Sequence, residues 1–126
     1  MIPMIKSAAK KAFILCLCCA LILCACGNAE EQKKNDMKKI ILENMEKIDE
    51  VSDLVSSNPY DYTKNEYYRN IVALGKDAVP VLEEMYLGGE LTGLHAFISA
   101  IAVSEITDSD IEFSTADEFF TKWIGR

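Results

Sequence analysis

The run Leu74-Gly75-Lys76-Asp77-Ala78-Val79-Pro80-Val81-Leu82 decides the fold. Gly75 supplies a left-handed exit from a helix, a conformation glycine adopts without steric cost. A second helix must start at once. Asp77 suits the N-cap, and Pro80 is tolerated only in the first turn, which pins the start. Helices joined by so short a turn are antiparallel neighbours.

The same reading extends both ways. Upstream, Tyr67, Ile71 and Leu74 form an apolar stripe, with Tyr68 and Val72 beside it. Thr63-Lys64-Asn65-Glu66 has the spacing of a capping box, so a helix is expected from Thr63. Before it, Met37, Ile41, Met45, Ile48, Val51 and Val55 recur at intervals of three and four, predicting a first helix over residues 36–55. Glu43 and Lys47 pair on its wet side, and Ser56-Ser57-Asn58-Pro59 ends it. Downstream, Val79, Leu82, Met85 and Tyr86 face inward until Gly88-Gly89. Residues 92–106 are apolar almost all round (Leu94, Phe97, Ile98, Ile101, Ala102, Val103), as in a helix buried on several sides. Thr115-Ala116-Asp117-Glu118 is a second capping box, opening a terminal helix with Phe119, Phe120, Trp123 and Ile124. Strand alternation and Asn-Gly or Asp-Gly hairpin turns do not occur. The expectation is an all-α bundle of about five helices.

The Leu74–Leu82 run resembles the junction of HEAT-type helical repeats, where L-G-x-x-A-V-P-x-L starts a repeat. Residues 94–106 resemble the second helix of such a repeat. Ile106-Thr107-Asp108, followed by Phe119, Phe120 and Trp123, is similar to the closing segment of some HEAT-like proteins, where aromatics cap the stack. The resemblance covers residues 67–123 and implies antiparallel helix pairs. About two units at most fit, whereas solenoids usually need three or more. A compact HEAT-like bundle is therefore expected, with the first helix over its open end.

The chain has 126 residues and a mass of 14.1 kDa, room for one small domain and not for a multidomain enzyme. Its net charge of −7 leaves no basic surplus to neutralise phosphates, which argues against nucleic acid. At 50% hydrophobic residues it is not a disordered acidic tail.

All five cysteines (Cys16, Cys18, Cys19, Cys24 and Cys26) lie in one short segment. A disulfide framework spreads cysteines so that bridges close loops, and a zinc site sets its ligands across a turn. This cluster does neither. Lys6, Lys10 and Lys11 precede the uncharged run Ala12 to Leu23, and Ala25, Gly27, Asn28 and Ala29 follow it. Basic, apolar, then small is the order of a secretory signal peptide.

Leu23-Cys24-Ala25-Cys26 resembles the lipobox of bacterial lipoproteins. That resemblance implies diacylglycerol attachment to the Cys26 thiol, cleavage before Cys26, and acyl chains such as palmitate at the membrane. Cys24 is the competing site, but bulky Leu23 before it fits the peptidase pocket badly. The alternative is an uncleaved anchor, since the uncharged run Ala12 to Ala29 approaches the roughly 20 residues that span a bilayer. Either way the remainder is exported, on the extracytoplasmic face of the cell membrane, or at the outer membrane of a Gram-negative cell. The expected organisation is a signal peptide over 1–25, the lipidated Cys26 with a polar tether over 26–35, and a helical domain over 36–126. From Cys26 onward 10 basic residues face 20 acidic ones, a net charge of −10.

The chemistry-bearing residues do not converge. His95 is the single histidine and sits in the most apolar helix, where a structural role is the simpler reading. A serine nucleophile would need it as base, and no G-x-S-x-G elbow occurs. Gly88-Gly89 and Gly93 lack the Lys-Ser/Thr of a phosphate loop. Asp108, Asp110 and Glu112 match the start of a calcium loop, but Phe113 stands where glycine is needed and Phe119 where the bidentate glutamate is needed. The neighbours Glu83-Glu84 and Asp117-Glu118 point about 100° apart on a helix. The tyrosines are the better surface candidates, with Tyr60 and Tyr62 in the loop between the first two helices and Tyr67 and Tyr68 just beyond. Tyrosine joins large contact area to a polar tip, although rings in short loops also close small cores. The expectation is a monomeric, non-catalytic binding or scaffold protein, lipid-anchored, without cofactor or metal. Cys26 would carry the lipid, and Tyr60 and Tyr62 would meet a protein partner that is neutral or basic where it touches. The alternative is an accessory or regulatory protein that holds a small ligand or peptide between helices.

Overall fold

The computed structural model describes residues 28–51 and 56–126. Contacts divide the chain into Met1–Asn35 and Asp36–Arg126. Among the described residues all regular structure is helical, with no strand. In the first unit, residues 28–35 are helical, where their polarity alone predicts a flexible tether. Glu30, Glu31, Gln32, Lys33 and Lys34 are good helix formers, and helix propensity does not require apolar residues.

In the second unit α1 covers residues 36–51. Ile41, Met45 and Ile48 are fully buried, with Met37 packed partly against them. Val51, on the same periodicity, is 51% exposed, so the stripe leaves the core after Ile48. Val55 and the expected helix end lie in 52–55, outside the described residues.

Pro59–Thr63 is a 3-10 turn and not an open loop. Asn58 caps it by accepting the Tyr60 N–H at 3.2 Å. The Thr63 hydroxyl donates to the Tyr60 carbonyl at 2.7 Å, so it closes this turn and does not open the next helix. Asn65 takes that role, with an extended backbone and a side chain that accepts the Tyr68 N–H at 2.8 Å. The helix α2 is therefore Glu66–Val72, shorter than the sequence predicts. It buries Tyr68 and Ile71, while Tyr67 stays half-buried with the Lys47 ammonium 5.4 Å from its ring centre.

Gly75 has φ +76 and turns the chain into α3, Ala78–Leu87, where the sequence places it, but Asp77 has helical angles (φ −63) and its side chain makes no capping hydrogen bond. Val79, Val81, Leu82 and Met85 are buried along it. The helix α4, Gly93–Thr107, buries Ala96, Ile98, Ser99, Ala100, Ala102 and Val103. It touches α2, α3, α5 and the 3-10 turn, which is why its sequence is apolar on nearly every side. Full burial of one such side chain is worth about 1.5–3 kcal/mol. Asp108 ends α4 in the left-handed conformation, φ +50. The helix α5, Ala116–Ile124, buries Phe119 and Phe120. Thr115 caps it by accepting the Glu118 N–H at 3.1 Å, and Glu118 reaches back to the Ser114 N–H at 3.0 Å.

Polar ties join the helices around this core. Tyr68 of α2 donates its hydroxyl to Glu105 of α4, and Trp123 of α5 donates its indole N–H to Glu83 of α3. Tyr86 of α3 donates to Asp117 of α5 at 2.8 Å and stacks on Phe120 with ring centres 4.2 Å apart. On α1, Lys38 lies 3.7 Å from both Glu84 and Glu90.

Candidate functional site

Cys26, the expected lipid attachment point, lies outside the described residues. Among the described residues no helix is long and apolar enough to cross a membrane.

Tyr60 and Tyr62, read together from the sequence, both lie in the 3-10 turn but have different surroundings. Tyr62 is half-buried and packs against the core. Its hydroxyl accepts the Ser56 N–H at 3.1 Å, which ties the turn to the chain before it. Tyr60 is 46% exposed. Its ring meets Phe97 at 88° with centres 5.8 Å apart, and Phe97 meets Phe113 at 5.5 Å. Phe113 continues to Phe119 at 4.9 Å, and Phe119 to Trp123 at 6.0 Å. A chain of rings thus runs from an exposed tyrosine into the core. Beside Tyr60, Asp61 accepts the Ser56 hydroxyl at 2.6 Å and the Lys64 ammonium at 3.2 Å. The Ser56 bond, followed by Lys64, holds the Asp61 carboxyl below its ordinary range.

The roles of Phe97 and Phe113 at this end of the domain are not evident from helical periodicity. The one local signal is Phe113, an aromatic residue inside an otherwise acidic loop.

His95 does not stand alone. Its Nε2 lies 2.8 Å from Asp49 Oδ2 of α1, and both side chains are partly exposed. A His–Asp pair is part of a hydrolytic triad, but Ser99, one turn along α4, is fully buried and donates its hydroxyl to the Ala96 carbonyl at 2.7 Å. The pair joins α1 to α4.

The Asp108–Glu112 string is not gathered around a point. The Asp108 backbone ends α4, Asp110 meets Arg126 at 3.3 Å, and the Glu112 carbonyl accepts Lys122 at 3.1 Å. Among the described residues no group of three or more His, Cys, Asp or Glu is placed to hold a metal ion. The adjacent carboxylates have separate partners: Glu83 takes the Trp123 indole, Asp117 takes Tyr86, and Glu118 takes the Ser114 N–H and Lys122.

No protein-family model matches the chain, and no curated protein or solved structure matches it either.

Proposed function

We propose that this chain is a lipid-anchored extracytoplasmic binding or scaffold protein, non-catalytic, whose HEAT-like helical domain presents its Tyr60 end to a protein partner. The observation that carries the binding reading is Tyr60 itself. The residue is 46% exposed, yet its ring is backed by Phe97 and, through it, Phe113, so a large amphipathic contact is held on a packed support. Preordering of that kind lowers the entropy cost of recognition. Support for the anchor comes from Leu23-Cys24-Ala25-Cys26 behind an apolar run and three lysines. Two acyl chains hold a protein at a bilayer stably, where one binds only weakly. The packing of α4 against α2 and α3 supports the HEAT-like reading.

Two experiments test the proposal in cells that make the full chain. Cys26→Ala should abolish incorporation of labelled fatty acid and leave the precursor unprocessed. Labelling that survives Cys26→Ala but not Cys24→Ala would move the lipid to Cys24. A photo-crosslinking residue at position 60 should capture one discrete envelope protein, and the same residue at position 90 should not. Equal capture from both positions, or none from either, would sink the binding reading.

A further inference from the structure

We infer that the surface at exposed Tyr60, backed by the partly buried rings of Phe97 and Phe113, receives the Lys or Arg side chains of a basic protein segment. This rests on the binding reading above and assigns the partner's chemistry. The three rings are contiguous, at 5.8 and 5.5 Å between centres, and Tyr60 is the most exposed of the aromatic residues described. Aromatic faces carry negative electrostatic potential and attract ammonium and guanidinium groups.

Charge selects the occupant. From Asp77 to Thr121 the chain carries ten acidic residues and no Lys or Arg, and Phe97 and Phe113 both lie within that stretch. Lys64, the nearest cation in the chain to Tyr60, pairs with Asp61 at 3.2 Å, and Lys122, the nearest to Phe113, pairs with Glu118 at 3.0 Å and donates to the Glu112 carbonyl at 3.1 Å. Glu112, adjacent to Phe113, is exposed, and Asp61, adjacent to Tyr60, already accepts the Ser56 hydroxyl. An acidic partner would meet like charge. A neutral apolar one would cover the exposed Glu112 carboxylate without pairing it, which costs desolvation. A basic side chain meets the exposed Tyr60 ring and the Glu112 carboxylate together.

The probe is an eight-residue peptide alternating arginine and glycine, titrated into the full chain in nonionic detergent and read by amide NMR shifts. Shifts should centre on residues 60, 97 and 113, and the glutamate–glycine counterpart should produce none there. Tyr60→Ala should weaken binding about three- to fivefold, the size of an exposed cation–ring contact. Tyr60→Leu should lose as much, because leucine keeps apolar contact but has no ring face. It also carries the test if the alanine variant folds poorly. Glu112→Gln should flatten the salt dependence. Shifts spread evenly over the acidic surface, or unchanged affinity in both Tyr60 variants, would overturn the inference. Binding kept by leucine and lost by alanine would also overturn it, by showing an apolar site. Crosslinking from position 60 to a partner that is not basic there would remove this inference and leave the binding reading standing. Failure of both peptide binding and crosslinking would remove both.

Discussion

At the scale of single residues, Tyr60 and Tyr62 divide two roles that one motif suggested. The Tyr62 hydroxyl holds the Ser56 N–H at 3.1 Å and its ring packs on the core, while Tyr60 is 46% exposed. Tyr62→Ala should therefore cost about 2 kcal/mol, roughly half the figure for a fully buried aromatic. Tyr60→Ala should cost under about 1 kcal/mol, since it removes one edge-on ring contact at a surface site. Urea midpoints of the two single variants check this. Equal losses would make both rings structural. Proximity in sequence showed that the tyrosines belong together, but not which ring turns inward. That depends on the 3-10 turn, and hence on Asn58 capping at Tyr60.

At the scale of elements, helix ends were legible where the signal is a backbone need, and ambiguous where two caps compete. Gly75 takes φ +76 and Thr115 caps α5, both as their sequence context requires. Thr63 and Asn65 are two residues apart, and each suits an N-cap. Pro59 starts a 3-10 turn that consumes the Thr63 hydroxyl, so Asn65 receives the helix. Asn65→Ala should lose about 1 kcal/mol of stability by leaving the Tyr68 N–H unpaired. Thr63→Ala should lose less, because its bond lies in an exposed turn. Chemical denaturation separates them, and a larger loss at Thr63 would restore the capping box there. The contacts that join elements, such as His95 with Asp49 or Trp123 with Glu83, bridge residues 46 and 40 positions apart and leave no local pattern to read.

At the scale of the whole molecule, four shifted groups bound stability from two sides of the pH range. Burial first, and then the Glu105 bond, push the Tyr68 hydroxyl well above its ordinary value. The Asp117 bond first, and then burial, raise that of Tyr86. A group whose folded value is raised stabilises fully below its unfolded value, about 10 for tyrosine, and loses that contribution as pH climbs. On the acid side, Asp61 is lowered by the Ser56 hydroxyl and then Lys64, and Glu118 by the Ser114 N–H and then Lys122. Their contributions are present above the ordinary carboxylate range of about 4 and fade as pH falls through the lowered values. The combined contribution of these four groups should therefore be flat from about pH 5 to about pH 9 and fall on both sides. The alkaline limb reports on the join between α2 and α4, because Tyr68 donates to Glu105 across it. Tyr68→Phe removes the titrating hydroxyl and keeps the ring. Urea midpoints between pH 8 and pH 11 should fall less steeply in Tyr68→Phe than in the parent chain, and Tyr86→Phe should show the same change more weakly because its hydroxyl is closer to solvent. An alkaline slope identical in parent and Tyr68→Phe would mean that this hydroxyl titrates alike in folded and unfolded chains, and that its bond to Glu105 does not hold the two helices together in solution.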